Sequence, residues 1–260
     1  MADAGTVLLS RHGAIATVTL NRPDKLNALT MEMLDALSGF ATELDADREV
    51  RCVILTGAGE RAFCVGADII AWSALEPLDM WRSWIRRGHQ VFDQWARLRQ
   101  PVVAAINGHA LGGGLELAAT ADIRIAPASA QFGLPEVSIA TVPGWSGTQR
   151  LAGLIGASRV KYLALTARRM SAEEALRAGL IHEIAGTDGV LGAAQRVAQD
   201  IGKLAPVSVQ LAKQLVDAGA GAGLAAALEG MAGTIAAATQ DAREGLASFR
   251  EKRAAAYKGK

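Results

Sequence analysis

The sequence predicts an α/β fold followed by a helical C-terminal part, and three observations carry this prediction. Short apolar runs alternate with glycine turns and helical patterns, which is typical of a sheet covered by helices. Half of the 260 residues are hydrophobic, so a sizeable core can be buried. Residues 199–260 are rich in helix formers and contain no strand run.

The strands of the core are predicted from four apolar runs bounded by turn residues. They are residues 14–20, 52–56, 101–106 and 122–126. Thr30 is suited to cap a helix that runs to about Ala46. Residues 69–98 contain several tryptophans and predict a long, irregular helix.

Helical signals dominate the second half of the chain. Glycines at residues 112–114 precede an apolar segment and open a helix that contains residues 115–119. Ser171 followed by Glu174 forms a capping box, and Gly179 stands where that short helix ends.

The charge balance and the cysteines argue against several classes of protein. Lys plus Arg number 27 and Asp plus Glu 26, so the net charge of +1 lacks the basic footprint of a nucleic-acid binder. Cys52 and Cys64 form neither a CxxC pair nor a zinc spacing, and the four histidines stand apart, so we expect reduced thiols and no metal site. The first residues lack a signal-peptide pattern, and residues 224–239 are too broken for a membrane span. We expect a cytoplasmic protein with no nucleic-acid or membrane partner.

Two glycine-rich loops, residues 65–68 and 111–116, each follow a strand and precede a helix. Unpaired backbone N–H groups gather at helix starts, and glycine leaves access to them open. Two such groups could clamp one developing oxyanion, although plain tight turns would show the same pattern. Glu116 and Glu136 are ordinary by spacing alone, since the first could complement a helix dipole and the second could be an exposed loop residue.

Five ordered motifs resemble the crotonase family, also called the enoyl-CoA hydratase/isomerase superfamily. The motifs cover nearly the whole chain and lie at residues 21–29, 62–69, 101–117, 131–136 and 143–151. A C-terminal signature of the family is matched by Asp241, Glu244, Gly245, Phe249, Lys252 and Arg253.

The resemblance implies a crotonase-type spiral of ββα units in residues 1–198 and a helical oligomerisation region in residues 199–260. It implies homotrimers, which commonly pair into hexamers. The substrate would be an acyl-CoA thioester, with coenzyme A as part of the substrate and no separate cofactor. The implied activity is that of a lyase, an enoyl-CoA hydratase, expected in lipid metabolism such as fatty-acid breakdown, with amino-acid and aromatic catabolism as alternatives.

By the same resemblance, the backbone N–H groups of Ala67 and Gly113 form an oxyanion hole for the thioester carbonyl. Glu116 and Glu136 form the acid/base pair, in which Glu116 deprotonates a water and Glu136 gives a proton to Cα of the substrate. A mainly apolar wall would raise the pKa of at least one carboxyl group, as acid/base work near neutrality requires.

Further substrate contacts are expected from Lys25, Asp68 and Ile69, and Arg61 is a second candidate for the phosphates of CoA. Trp145 stands where the family usually has a small residue, and we expect it to shorten or reshape the acyl site. The other four tryptophans lie in the segment that normally lines that site, and core packing would explain some of them equally well. They are Trp72, Trp81, Trp84 and Trp95.

Two alternatives to hydration stay open. One is an enoyl-CoA isomerase or another crotonase activity that forms the same enolate. By the resemblance, many isomerases, hydrolases and lyases of this fold keep the oxyanion hole but lack one or both glutamates, so the presence of both argues for hydration. A non-catalytic RNA-binding or assembly homologue is the other alternative, and the near-zero net charge and the absence of a Lys-rich helix argue against RNA.

Overall fold

The computed structural model describes residues 6–221 and 223–259. The chain packs as two units, Met1–Val209 and Gln210–Lys260. The division between these two units falls inside a helix. The domain boundary between residues 198 and 199, which the family resemblance implies, stays a prediction.

Two sheets form the first unit. Its described strands are β1 (Thr6–His12), β2 (Ile15–Asn21), β3 (Cys52–Gly57), β4 (Ala62–Cys64), β5 (Val102–Ala105), β6 (His109–Leu111), β7 (Ile123–Ala126), β8 (Gln131–Gly133), β9 (Arg169–Ser171) and β10 (Glu183–Ile184). The larger sheet has the order β1-β2-β3-β5-β7-β10, and its pairs after the β1–β2 hairpin are parallel. The smaller sheet has the order β4-β6-β8-β9 and ends in the antiparallel pair β8–β9.

Helices connect the parallel strands, as crossover connections require. They are α1 (Met31–Ala46), α2 (Ile69–Ser73), α3 (Pro77–Asp79), α4 (Arg86–Ala96), α5 (Gly113–Ala118), α6 (Gly147–Ile155), α7 (Ala157–Thr166), α8 (Ala172–Ala178) and α9 (Gly189–Gly202). A π-helix, Met80–Ile85, leads into α4, and short 3₁₀ turns lie at Pro23–Lys25 and Glu136–Ile139. Strands and helices in this order confirm the predicted α/β class.

The larger sheet is covered on both faces. Side chains alternate along β3, so that Val53 and Leu55 enter the main core while Cys52 and Ile54 face a second cluster against α9. Every residue of β3 is buried, as expected for a parallel strand between two helical layers. Each fully buried leucine or isoleucine contributes about 1.5–3 kcal/mol to folding relative to an exposed one.

The long elements lie where the sequence patterns predict them. The four predicted strands correspond to β2, β3, β5 and β7, and Thr30 caps α1 by accepting a hydrogen bond from the first turn at 3.3 Å. Ser171 and Glu174 form the predicted capping box at the start of α8. Residues 69–98 form the predicted irregular helix, which is broken into α2, α3, the π-helix and α4.

The sequence patterns do not predict the short strands. Strands β4, β6, β8, β9 and β10 have two or three residues each, too few to show an alternating pattern, and β9 and β10 interrupt the helical second half. The longer β1 is not predicted either, because its apolar residues fall on both faces: Val7 is buried and Leu8 is exposed.

The second unit contains the end of α10 (Pro206–Gly219), together with α11 (Leu224–Ala238) and α12 (Gln240–Glu251), which confirms a helical C-terminal part. Thr239 caps α12 by accepting a hydrogen bond from the N–H of Ala242 at 3.0 Å. Arg253 donates to both carboxylate oxygens of Glu244 and fixes the chain after α12. No described helix has both the length and the apolar character needed to cross a membrane.

Candidate active site

Two glycine-rich loops meet at one edge of the smaller sheet. β4 and β6 are neighbouring parallel strands, so the loops that follow them leave from the same edge. Gly66 has φ +103°, and a Cβ placed on it would lie 3.1 Å from the backbone nitrogen of Gly113. Glycine is therefore required here both by the backbone conformation and by the close approach of the second loop.

The backbone of the first loop is held in a fixed orientation on both sides of Ala67. The N–H of Leu29 donates to the carbonyl of Gly66 at 2.8 Å, and the N–H of Asp68 donates to the carbonyl of Leu29 at 2.8 Å. Within the described residues, the N–H groups of Ala67 and Gly113 make no hydrogen bond to another protein group. Two backbone donors on adjoining loops are thus left without a protein acceptor in the described part of the chain.

Arg22 and Asn27, from the first family motif, support this loop. The Arg22 guanidinium donates to the carboxylate of Asp68 at 2.5 Å and to the carbonyl of Ala28 at 3.1 Å. The buried Asn27 amide donates to the carbonyl of Ala62, the first residue of β4, at 2.9 Å. No local sequence pattern predicts these roles, because Asp68 lies 46 residues from Arg22 and Ala62 lies 35 residues from Asn27.

Asp68 has a structural task in addition to its predicted contact with substrate. Its carboxylate caps α2 by accepting hydrogen bonds from Ile70 and Ala71 at 3.1 and 3.2 Å. Burial opposes ionisation of Asp68, but the hydrogen bond from Arg22 and the two N–H groups outweigh it and lower the pKa. The carboxylate is therefore ionised, and it already accepts hydrogen bonds from Arg22, Ile70 and Ala71.

Glu116 lies in the first turn of α5, with 2% of its surface exposed. One carboxylate oxygen, Oε1, accepts hydrogen bonds from the N–H of Trp145 at 2.9 Å and from the N–H of Gly147 at 2.8 Å. A Cβ on Gly147 would overlap Cγ of Glu116, so only glycine allows this approach. Burial raises the pKa of Glu116, and the backbone N–H groups partly oppose the rise.

Glu136 begins the 3₁₀ turn after β8 and is partly buried. Its Oε2 is buried and has no hydrogen-bond partner among the described residues. A Cβ on Gly112 would lie 3.0 Å from its Oε1, which puts this carboxyl group beside the second glycine loop. Burial, with a further contribution from the charge of Glu116, raises the pKa of Glu136 to about 7.

The two carboxyl groups therefore interact and differ in environment. Glu116 is held by two backbone donors, while Glu136 presents an unpaired oxygen and titrates near neutrality. Such a pair can take up a proton at one carboxyl group and release one from the other. A buried oxygen without a hydrogen-bond partner costs about 1–3 kcal/mol of stability, so folded proteins contain few of them. A functional role of the carboxyl group would explain why this one is kept.

A cavity of about 610 Å³ opens beside Ala67. Lys25, Asp68 and Ile69 line it as well, so four of the predicted substrate residues lie together. Other lining residues include Arg22, Thr30, Met31, Glu32, Ile70, Leu75 and Trp84. Gly113, Glu116, Glu136 and Trp145 are not among the lining residues; Glu136 and Trp145 approach the second glycine loop at Gly112 and Gly113.

Arg61 lies apart from this cavity. Its guanidinium donates to the carbonyl of Pro23 at 3.4 Å and is exposed. Lys25 is therefore the better placed of the two predicted cations to meet a ligand in the cavity.

Trp145 is 3% exposed and packs inside the site. Its ring meets Phe92 edge-on with centroids 5.3 Å apart and Trp84 at a tilt with centroids 5.9 Å apart. Ser146 follows in the left-handed conformation, φ +67°, before α6 begins, as expected of a turn residue. His89, which stands apart from the other histidines in the sequence, contacts the Ser146 hydroxyl through Nδ1 and thereby anchors this turn to α4.

The remaining tryptophans divide between core and surface. Trp95 is buried and donates to the carbonyl of Leu37 at 3.0 Å, whereas Trp81 is 55% exposed. Trp72 packs against the edge of the main core. Core packing thus explains Trp95 and Trp72, while Trp84 is shared between core and cavity.

Comparison with known proteins agrees with this geometry. The family model described as enoyl-CoA hydratase/isomerase matches residues 10–260. The chain belongs to that family. It is 40% identical to a short-chain-enoyl-CoA hydratase of Clostridium acetobutylicum, over 96% of this chain and 97% of the relative. It is 36% identical to a crotonyl-CoA hydratase of Syntrophomonas wolfei, again over 96% of this chain and 97% of the relative.

A solved structure shows the same fold as well as the same family. The crystal structure of an enoyl-CoA hydratase from Bacillus anthracis superposes with a TM-score of 0.81 at 37% sequence identity. The match covers 98% of this chain and 99% of that one. The crotonase fold, with parallel sheets and a helical C-terminal part, is thereby confirmed.

Proposed function

We propose that this chain is an enoyl-CoA hydratase, which adds water across the double bond of a trans-2-enoyl-CoA to give a 3-hydroxyacyl-CoA. The observation that carries the proposal is the pair Glu116 and Glu136 beside two unpaired backbone N–H groups. Full-length relatives named as enoyl-CoA hydratases support it.

The N–H groups of Ala67 and Gly113 hold the thioester carbonyl oxygen. Negative charge develops on this oxygen when water attacks Cβ, so donors already fixed in place lower the barrier. The thioester carbonyl is also polarised before attack, which makes Cβ electrophilic. One donor of this kind contributes about 3–4 kcal/mol.

Glu116 and Glu136 divide the proton transfers. Glu116 takes a proton from water as the water oxygen bonds to Cβ, and its two backbone donors fix the direction of the carboxylate. Glu136 gives its proton to Cα, and the electron pair of the broken double bond forms the new Cα–H bond. With a pKa of about 7, Glu136 carries that proton in a large fraction of molecules at neutral pH. Proton exchange between the two coupled carboxyl groups and solvent restores the starting state.

The test is hydration of crotonyl-CoA by wild type, Glu116→Gln, Glu136→Gln and the surface variant Glu60→Gln. Loss of the conjugated thioester is followed by absorbance, and the product is identified by the mass of one added water. We expect both site variants to lose hydration by about 10²–10⁴-fold, because each loses one proton transfer. Binding of the saturated butyryl-CoA should be largely unchanged, and Glu60→Gln should match wild type.

Full turnover by Glu136→Gln would rule out this mechanism. Conversion of a 3-enoyl-CoA without hydration of the 2-enoyl-CoA would favour an isomerase. Retention of RNA without activity on any enoyl-CoA would favour the non-catalytic homologue.

A homotrimer, or a hexamer of two trimers, is proposed as the assembled form. Large apolar side chains of α10, α11 and α12 are exposed in the described residues, which is unusual for a surface that faces only water. They include Leu215, Val216, Leu228, Ile235, Leu246 and Phe249, the last with 84% of its surface exposed. Sedimentation equilibrium distinguishes one, three and six copies by mass, and a monomer would contradict the proposal.

Turnover of purified protein without any added cofactor is also proposed, since coenzyme A arrives as part of the substrate. Activity that depends on a dialysable ion or organic group would contradict this. A cytoplasmic location and the absence of nucleic-acid partners stay predictions of the sequence.

A further inference from the structure

Three aromatic rings lie directly behind the glycine loops and are called here the aromatic wall: Trp84, Phe92 and Trp145. Trp145 contacts both of the others, with ring centroids 5.9 and 5.3 Å away. All three side chains are buried within the main core. The wall is thus a packed part of the protein rather than a set of mobile surface rings.

Trp145 is fixed between two glycines. A Cβ on Gly113 would lie 2.8 Å from two carbons of the indole ring, and a Cβ on Gly88, in α4, would overlap the indole nitrogen. The indole therefore lies directly on two bare backbone segments. One of these segments carries the Gly113 N–H that the proposed mechanism uses.

Trp84 connects the aromatic wall to the cavity beside Ala67. The 610 Å³ cavity beside Ala67 carries both charged side chains, such as Lys25, and apolar ones, such as Ile70 and Leu75. Trp84 lines this cavity, and its ring centroid lies 5.9 Å from that of Trp145. A thioester whose carbonyl oxygen accepts from the Gly113 N–H would lie beside the Trp145 indole, because that ring packs directly against Gly113.

We propose that Trp145, backed by Trp84 and Phe92, closes the end of the acyl site and restricts the enzyme to short enoyl groups such as the four-carbon crotonyl group. This inference rests on the proposed hydratase function. Packed interiors have few voids, so each added methylene beyond the space available must displace a ring. One methylene that does not fit a pocket changes kcat/KM by about 10–200-fold.

The experiment measures kcat/KM on crotonyl-CoA and on the ten-carbon trans-2-decenoyl-CoA. Wild type is compared with Trp145→Ala, Trp145→Leu and Trp81→Ala. Trp81→Ala removes an exposed indole from the same segment and serves as the matched control. Trp145→Leu is the milder variant in case Trp145→Ala fails to fold.

Wild type should prefer crotonyl-CoA by more than about tenfold. In the folded Trp145 variants the decenoyl-to-crotonyl ratio of kcat/KM should rise by about tenfold or more, and in Trp81→Ala it should stay at the wild-type value. Equal wild-type kcat/KM on both substrates, or an unchanged ratio in a folded Trp145 variant, would overturn this inference but leave the proposed hydratase function intact. Absence of hydration on both substrates by wild type would remove the proposed function and this inference with it.

Discussion

Replacing Glu136 with glutamine is expected to stabilise the folded protein while it removes activity. Burial raises the pKa of Glu136 to about 7 from a reference value of 4.5, and the nearby charge of Glu116 adds to the rise. At a pH between 4.5 and about 7, the Glu136 carboxyl group is ionised in the unfolded chain but still protonated in the folded chain. The free energy of unfolding therefore falls as the pH rises from about 4.5 to about 7, and it keeps this lower value above pH 7.

The size of the effect follows from this shift. One pKa unit corresponds to about 1.4 kcal/mol, so the shift gives an upper figure of about 3 kcal/mol. Solvent reaches part of the side chain, and screening reduces the expected gain for Glu136→Gln to about 1–2 kcal/mol. Glutamine retains the shape of the side chain and carries no charge at any pH.

Urea unfolding near pH 8 and near pH 4.5 measures this directly. Glu136→Gln should unfold at higher urea than wild type near pH 8, and the difference should nearly vanish near pH 4.5. Glu60→Gln, at an exposed position, is the control, and protein concentration is held constant because assembly stabilises the folded state. A difference that is unchanged at the lower pH, or a less stable variant near pH 8, would refute the reasoning.

Three further outcomes are expected. Hydration kcat/KM should decline as the pH rises through about 7, since Glu136 must carry its proton; a profile that stays flat to about pH 9 would contradict this. Gly147→Ala should cost about 1–3 kcal/mol in unfolding free energy and lower kcat, because its Cβ overlaps Glu116, whereas Gly153→Ala in the same helix has open space and should be tolerated. Gly113→Pro should lower kcat about 10²–10³-fold relative to Gly113→Ala, which adds the same Cβ but keeps the N–H; equal kinetics of the two would exclude that donor.

The sequence predicts the site's loops better than it predicts the site's carboxylates. Glycine runs before helices are local patterns, so residues 65–68 and 111–116 are recognisable from the chain alone. The burial of Glu116 is not local, because its donors Trp145 and Gly147 lie 29 and 31 residues further on. Without the family resemblance, nothing in the sequence distinguishes this glutamate from one that complements a helix dipole.

The same distinction separates long strands from short ones. β2, β3, β5 and β7 carry enough apolar residues to be recognised, whereas β4 and β6 are defined by pairing with each other. Those two short strands bring the glycine loops together. Long-range pairing, such as that of Arg22 with Asp68, 46 residues apart, likewise depends on the completed fold.

Trp145 links two properties that an engineer would prefer to vary separately. Its side chain fills space beside Gly113, and its backbone N–H orients Glu116. Any change at this position that shifts the main chain alters proton transfer together with substrate size. Libraries aimed at longer substrates should therefore begin at Trp84 and Phe92. Their rings contact Trp145, and among the described residues their N–H groups are not donors to the carboxylate of Glu116, which Trp145 and Gly147 supply.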